Sequence, residues 1–446
     1  MKYFFFLLMI SAGLTAQELP LSLSDAVQRG LENNYQIRIA TNEVAVSEAQ
    51  DSWALAGKYP TINLSVSPGL SYRDNTNPAS IVSQSNTTTY SVAPAANFNW
   101  TLFNGHRVEL TKEQSARRVD LTEGQLMLAV ENTSQNVIRA YYNALVQRER
   151  IEVLQDVLDL SRDQIDYQDL RREYGQGGSF ASLQARDAYL NDSTNLLTQQ
   201  VSYKNAVRSL LQVMGESDPE LDVRLTDQLD FLPAPYDRTA LTQQLLANNR
   251  SLQNLLINRD LANYNTKLAE TANAPNIALN AGLSYSFDVQ TGTQTFDFGG
   301  DQPTREQELP GVAARTFLGN VGIGVNYLLY DGGARKRRIE IAQLQEINAQ
   351  LNYEANKQDL QILLNNTLAT YDNQAELLSL TDARIENAAS NLEIARERLS
   401  GGVINSFDYR QIQLNYLDAT FQRLNALLNL KTTETELLRL TGQIVR

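Results

Sequence analysis

The sequence predicts an α+β membrane protein in which short β-ribbons build a barrel and long helices continue it as an α-helical coiled-coil barrel. Three observations carry that expectation: the chain is internally duplicated, each copy holds two alternating strands, and each copy holds one unbroken heptad helix. Asn33, Asn34 and Pro60 recur as Asn248, Asn249 and Pro275, a shift of 215. Phe103-Asn104-Gly105 recurs as Tyr330-Asp331-Gly332, and Leu210-Leu211 with Gly215 as Leu437-Leu438 with Gly442, a shift of 227. The extra residues fall between the two strands of the second copy, where a loop absorbs them at small entropic cost. Such a duplication points to a conduit rather than to an enzyme.

In chain order, residues 1–16 read as a secretory signal peptide: Lys2 precedes an apolar run from Tyr3 to Leu14, and small residues lead to a cut after Ala16. No later stretch reaches the ~20 apolar residues of a transmembrane helix, so a membrane crossing must use β-strands in a closed barrel. That places the chain in the outer membrane of a Gram-negative bacterium. With no cysteine, neither a disulfide framework nor a lipoprotein anchor is available. A net charge of −13 disfavours nucleic acid as a partner. The acidity fits equally a solvated surface or a lumen that favours cations.

The first structural repeat spans 17–238: a helix from Ser22 to Lys58, strands about 61–74 and 89–103, a long helix 105–174, a return helix 179–214 and an equatorial linker 215–238. The second spans 239–446: a helix from Thr239 to Asn273, strands about 276–289 and 317–330, a long helix 333–400 and a return helix 403–441. In the first strand Ile62, Leu64, Val66, Leu70 and Tyr72 alternate with Asn63, Ser65, Ser67 and Ser71, and the other three strands repeat that period of two. Each run is long enough to cross a bilayer as a tilted strand, which takes about 9–11 residues. Tyr72, Tyr90, Tyr285, Phe287 and Phe317 gather toward one rim, and Phe98, Trp100, Phe103, Tyr327 and Tyr330 toward the other, as two interfacial girdles. Pro68 and Pro94 predict bulges or edge positions. Four strands cannot close a membrane barrel, whose smallest examples have about eight, so the chain must oligomerise.

Between Gly105 and Gly175 the only helix breaker is Gly124, and between Gly333 and Gly401 there is none. Val130, Val137, Ala144, Ile151, Leu158 and Ile165 fall every seventh residue, as do Leu364, Tyr371, Leu378, Ile385, Leu392 and Leu399. A sustained heptad implies left-handed supercoiling against neighbouring helices. The two shorter helices of each copy match the long one in summed length, so they are expected to stack end to end and run antiparallel to it.

These residues resemble the TolC-like outer membrane efflux protein family, the outer membrane factors, over essentially the whole mature chain. The resemblance rests on Leu21-Ser22-Leu23-Ser24-Asp25-Ala26 through Asn33-Asn34, on Tyr59-Pro60, on the strand exits Leu102-Phe103-Asn104-Gly105 and Leu329-Tyr330-Asp331-Gly332, and on Gly402 followed by Ser406-Phe407-Asp408. It implies a homotrimer, a 12-stranded barrel open to the outside and a helical tunnel in the periplasm. It also implies a periplasmic membrane-fusion adaptor and an inner-membrane pump of RND or ABC type as partners, in a tripartite efflux or type I secretion system.

The glycines at 175, 177, 178, 401 and 402 are expected to reverse the chain at the two far tips. By the resemblance those tips dock the adaptor, with Tyr174, Gly175, Gly177, Gly178, Arg398, Ser400, Gly401 and Gly402 as contacts. Asp408 matches the place of an acidic ring across the tunnel mouth, with Gln411 where a second acid is expected, and Ala181 is its counterpart in the first copy. The same Asp408 equally suits the first turn of any helix. Arg335-Lys336-Arg337-Arg338 opens a long helix where cations oppose the dipole, so outer-membrane lipid headgroups or neighbouring acids are expected to compensate. His106, the sole histidine, lacks companions for a metal site. The sequence shows no Ser/His/Asp set, cysteine nucleophile or phosphate-cradling loop, so neither enzyme activity nor a cofactor is expected. The competing reading is a structural periplasmic coiled-coil scaffold or adhesin anchored in the outer membrane.

Overall fold

The computed structural model describes residues 19–444, so the expected signal peptide 1–16 lies outside the described residues. In order, the elements are β1 (Leu19–Leu21), α1 (Leu23–Asn33), α2 (Tyr35–Gln50), β2 (Thr61–Thr76), β3 (Val82–Phe103), α3 (Arg107–Glu173) and α4 (Ser179–Met214). The chain continues through β4 (Val223–Leu225), α5 (Arg238–Asn248), α6 (Arg250–Glu270), a single 3-10 turn at Thr271–Asn273, β5 (Asn276–Phe296), β6 (Arg305–Asn326), α7 (Ala334–Ser400) and α8 (Ser406–Leu440). No helix among the described residues is long and apolar enough to cross a membrane.

These elements form two compact units. One contains the chain up to Ala45, Leu121–Leu256 and everything from Leu351; the other contains Val46–Asp120 and Ile257–Gln350.

The first unit is helical and carries the duplication in its cores. Ala26, Val137 and Leu210 belong to one buried cluster, and their counterparts Leu241, Leu364 and Leu437 to another. Tyr141 and Ala144 in the first cluster answer to Leu368 and Tyr371 in the second, so the large ring changes position by one helical turn. Each tyrosine hydroxyl is spent on backbone outside the helices: Tyr141 donates to the carbonyl of Leu21 in β1 at 3.0 Å, and Tyr371 to that of Ala234 in the 215–238 linker at 3.1 Å. Burial pushes both phenols above their ordinary pKa. Within the 215–238 linker, β4 pairs in parallel with β1, a three-residue ladder too short to leave a pattern in sequence.

The helices expected over Ser22–Lys58 and Thr239–Asn273 are each interrupted, at Asn34 and Asn249. The break is stabilised by the asparagine itself. Asn34 Nδ2 donates to the Val213 carbonyl at 2.8 Å and its Oδ1 accepts from Gln36 N at 2.8 Å. Asn249 does the same with the Leu440 carbonyl at 3.0 Å and Leu252 N at 3.0 Å. Each asparagine thus satisfies a carbonyl left over at the end of a return helix. Gly215 and Gly442, at φ +77° and +67°, let the chain turn there, and a Cβ on Gly215 would lie 2.6 Å from the Asn33 carbonyl oxygen. The recurring Asn-Asn and Leu-Leu…Gly motifs are therefore two halves of one joint. Gly124 has an equally local reason: a Cβ there would stand 1.9 Å from Asn254 Oδ1.

The second unit holds a four-stranded antiparallel sheet in the order β2-β3-β5-β6, which leaves β2 and β6 as edges. The strands run farther than the alternating patterns, β3 from Val82 and β5 to Phe296, because backbone pairing continues through polar stretches such as Thr87–Thr89 against Gln290–Gly292. The expected strand 317–330 instead covers Arg305–Asn326: Asn326 pairs with Asn276, where β5 begins, and beyond it no backbone remains to pair with. Pro68 lies on the edge strand β2. Pro94 lies inside β3, where the ladder to β5 skips Ala93 and Pro94 without a change of register. The missing N–H is accommodated by a gap, not by the expected bulge.

Candidate functional site

In the sheet, the register aligns the alternating residues of all four strands into common rows. Ile62, Phe98, Ala281 and Val321 form one row of the apolar face, and Asn63, Asn97, Gly282 and Asn320 one row of the polar face. Gly282 leaves room for its neighbour, since a Cβ would sit 2.8 Å from Asn320 Oδ1. The apolar face is bare in the single chain: Leu64 is 79% exposed and Val321 76%. The girdle aromatics share that face. Tyr90 pairs with Val289, Phe287 with Arg315 and Tyr285 with Phe317 on neighbouring rows, while Trp100 pairs with Leu279 and Phe103 with Ile277 near the other end. Tyr72 is exposed on β2, and Tyr327 and Tyr330 are exposed just past the end of β6.

In the helical unit, both tips use the same turn. Gln176 N donates to the Arg171 carbonyl and Gly175 N to the Arg172 carbonyl; Val403 N and Gly402 N repeat this with Arg398 and Leu399. This pair of bonds is a Schellman closure, which requires a left-handed residue. Only Gly175 (φ +72°) and Gly402 (φ +73°) supply it, so Gly177, Gly178 and Gly401 are not required by backbone conformation. Tyr174 stands 72% exposed at the first tip, and Arg398, Ser400 and Gly401 flank the second. Asn405 caps α8 by accepting from Asp408 N at 2.9 Å. Asp408 is exposed, and its carboxylate has no hydrogen-bond or ion-pair partner among the described residues. Gln411 is exposed one turn on and donates to Asn415 Oδ1 at 3.2 Å.

A polar network that the apolar heptads conceal joins α3, α4 and α8. The buried Asp192 carboxylate accepts both arms of Arg410, at 2.6 and 2.7 Å, and also a short hydrogen bond from the Ser161 hydroxyl. Gln413 Nε2 donates to the Val157 carbonyl at 3.2 Å, and buried Gln168 donates to Ser406 Oγ at 2.7 Å. Closer to the tip, the Tyr167 hydroxyl donates to the Leu399 carbonyl at 2.8 Å. In α3 the residues buried beyond Val146 are Leu154, Val157, Ser161 and Gln168, while the expected Ile151, Leu158 and Ile165 are only half-buried in the single chain. Two of those four are polar, so a count of apolar residues does not find them. Asp192 shares a seven-residue row of α4 with the buried Ala185 and Ala206, and Arg410 lies in the first turns of α8, but neither position carries a sequence signal that the two meet.

The outer membrane efflux protein family matches this chain over residues 26–216 and again over 241–443, one match for each copy. The chain belongs to that family. As an outer membrane efflux protein, it is a transport protein of the Gram-negative outer membrane with its helical part in the periplasm. Its fold is similar to the Campylobacter jejuni CmeC outer membrane channel, with a TM-score of 0.74 at 17% identity, over 94% of this chain and 85% of that one. It is also similar to the outer membrane protein VceC of Vibrio cholerae, with a TM-score of 0.74 at 16% identity, over 94% and 96% of the two chains. The open-state outer membrane channel MtrE of Neisseria gonorrhoeae gives a TM-score of 0.70 at 18% identity, over 95% and 89%. No curated protein matches it in sequence.

In this efflux protein the strand-to-helix exits are again duplicated. Gly332-Gly333 have φ +69° and +84°, and Gly105-His106 have φ +70° and +64°. His106 therefore occupies a left-handed position that is glycine in the other copy, and its ring packs edge-on against Phe103 with centroids 5.6 Å apart. Among the described residues no group of acids and histidine is arranged to hold a metal ion.

Proposed function

We propose that this protein is the passive exit duct of a tripartite efflux or type I secretion system, assembled as a homotrimer. The observation that carries the proposal is the open sheet. Its two edge strands are unpaired, one face is apolar and exposed, and four strands are too few to close. Three copies joined β6 to β2 make a 12-stranded barrel whose polar rows line the lumen. The helical unit supports association between copies as well, because α4 leaves Leu183, Leu190 and Leu197 exposed at heptad spacing, a seam suited to cover by another helix.

In this reading a periplasmic membrane-fusion adaptor grips the tips at Tyr174, Gly175, Gly177, Gly178, Arg398, Ser400, Gly401 and Gly402. An inner-membrane pump of RND or ABC type drives the passenger, and the duct itself catalyses no reaction. Three unpartnered Asp408 carboxylates brought around one axis concentrate negative potential at the tunnel mouth, with Gln411 as a neutral neighbour. A periplasmic scaffold or adhesin would need the helices but not a lipid-facing sheet with aromatic girdles.

The test is reconstitution of the purified mature chain in planar bilayers together with crosslinking between β2 and β6. A crosslinked trimer with discrete ionic conductance is expected. A water-soluble monomer without affinity for bilayers would overturn the proposal.

A further inference from the structure

The Arg335–Arg338 run has no structural purpose that the duplicated fold requires. Its counterparts at the exit of the first copy are Val108, Glu109, Leu110 and Thr111, and that exit makes the same pair of left-handed residues and starts an equally long helix. The caps correspond as well: Asn104 Oδ1 accepts from Arg107 N at 3.1 Å, and Asp331 accepts from Gly333 N at 3.2 Å and Arg335 N at 2.8 Å. Four consecutive cations in the first turn of α7 oppose the helix dipole, and the protein compensates only half of them. Arg335 Nη1 donates to the Ala272 carbonyl at 3.1 Å, and Arg337 pairs with Glu340 at 2.7 Å. Lys336 and Arg338 are exposed and have neither an ion pair nor a hydrogen bond among the described residues.

The surroundings of these two cations specify the missing anion. Immediately before them come Tyr327, Leu328, Leu329 and Tyr330, all exposed, with Leu329 at 82% and Tyr330 at 83%. Aromatic and aliphatic side chains followed by free cations match the boundary between acyl chains and headgroups. Although Lys336 and Arg338 leave α7 on different sides, side chains of a first helical turn lean toward the N-terminus. Here that direction leads back to the end of β6, so both ammonium and guanidinium reach the same layer.

We propose that Lys336 and Arg338 form an anionic-phospholipid site on the periplasmic leaflet, with Tyr327 and Tyr330 seated at its interface. The inference rests on the outer-membrane placement of the family and not on conduction, which can be read separately in the same vesicles.

The chain's two tryptophans provide the readout. Trp100 Nε1 donates to the Lys58 carbonyl at 2.9 Å and the Lys58 ammonium lies 4.0 Å over the Trp53 ring, so both report on one rim of the sheet. The full-length protein is reconstituted in phosphatidylethanolamine vesicles containing a minor fraction of brominated phosphatidylglycerol or, in parallel, brominated phosphatidylethanolamine. Stronger quenching by the anionic lipid is expected, with a preference of up to about fivefold per cation. The K336Q/R338Q double variant should bring the preference close to one, while Lys336→Arg with Arg338→Lys should retain it. Equal quenching in the unaltered protein, or a preference that survives K336Q/R338Q, would overturn the site. So would loss of the oligomer by that variant in zwitterionic vesicles without a change in lipid preference, since the cations would then be serving acids of a neighbouring copy. Abolition of the preference by millimolar inorganic phosphate would reassign it to a soluble anion.

Discussion

In the first copy, α3 and α4 are fastened to each other just above their turn: Asp169 accepts from Ser182 Oγ at 2.5 Å and from Arg186 at 2.8 Å. At the equivalent positions the second copy has Arg396, Tyr409 and Gln413, and none of them ties α7 to α8 in that way. Tyr409 is buried instead, with burial raising its phenol pKa, and α8 reaches to the first hairpin through Arg410, Gln413 and Ser406. The two hairpins share a turn but not a means of support. Near its turn the first is tied by its own side chains and the second is tied to the first. The second hairpin's own α7–α8 ion pairs, Arg384–Asp418 and Arg423–Asp382, lie farther along the helices. A duplicated fold can thus give one hairpin a fixed role and leave the other's position adjustable through a few separable bonds.

The largest test of this asymmetry is Arg410→Ala. It leaves the Asp192 carboxylate buried without a cation and should cost about 3–5 kcal/mol, read from denaturant unfolding followed by helical circular dichroism. Arg384→Ala, which removes only an exposed pair with Asp418, should cost under about 1 kcal/mol. Equal losses would mean that the hairpins are supported alike. Next, Gly175→Ala and Gly402→Ala should each lose about 1–2 kcal/mol, since alanine resists the left-handed region, while Gly401→Ala should be nearly neutral. Tyr167→Phe deletes the bond to the Leu399 carbonyl and should cost about 0.5–1.5 kcal/mol; if the second hairpin is adjustable, it should also raise channel open time in planar bilayers.

Acid offers a subtler probe of the first hairpin. The hydrogen bonds from Ser182 and then Arg186 hold the Asp169 carboxyl below the usual carboxylate pKa. A depressed folded pKa gives stability that is complete above the unfolded value of about 3.9 and is lost as pH falls through the lowered one. Ser182→Ala should therefore shift the acid limb of hairpin melting to higher pH, with no change near neutrality beyond the lost hydrogen bond. The smallest effect on stability belongs to Asp408→Ala, whose carboxylate has no hydrogen-bond or ion-pair partner among the described residues, yet it should reduce the cation preference of the current. An unchanged current–voltage curve would remove Asp408 from the tunnel mouth.

Period-two strands, the seven-residue repeat of the long helices and the repeated Asn-Asn and Phe-Asn-Gly motifs were legible because each is a periodic or punctuated pattern on one segment. The breaks at Asn34 and Asn249 were not, since asparagine interrupts a helix only when a partner carbonyl, here Val213 or Leu440, waits to receive its amide. The Asp192–Arg410 pair was hidden for a related reason: residues far apart in sequence carry no local sign of meeting. Strand ends were misplaced because Thr87 and Asn326 pair through backbone atoms that side-chain alternation does not record. The tip glycines were overcounted, as composition cannot separate the left-handed Gly402 from Gly401 beside it.

The unpaired margins of β2 and β6 also bear on biogenesis. A chain that presents two open strand edges, a greasy sheet face and a bare leucine stripe needs other copies to cover them. Its yield should depend steeply on how many siblings are within reach, and on an escort that covers those surfaces until the copies have met.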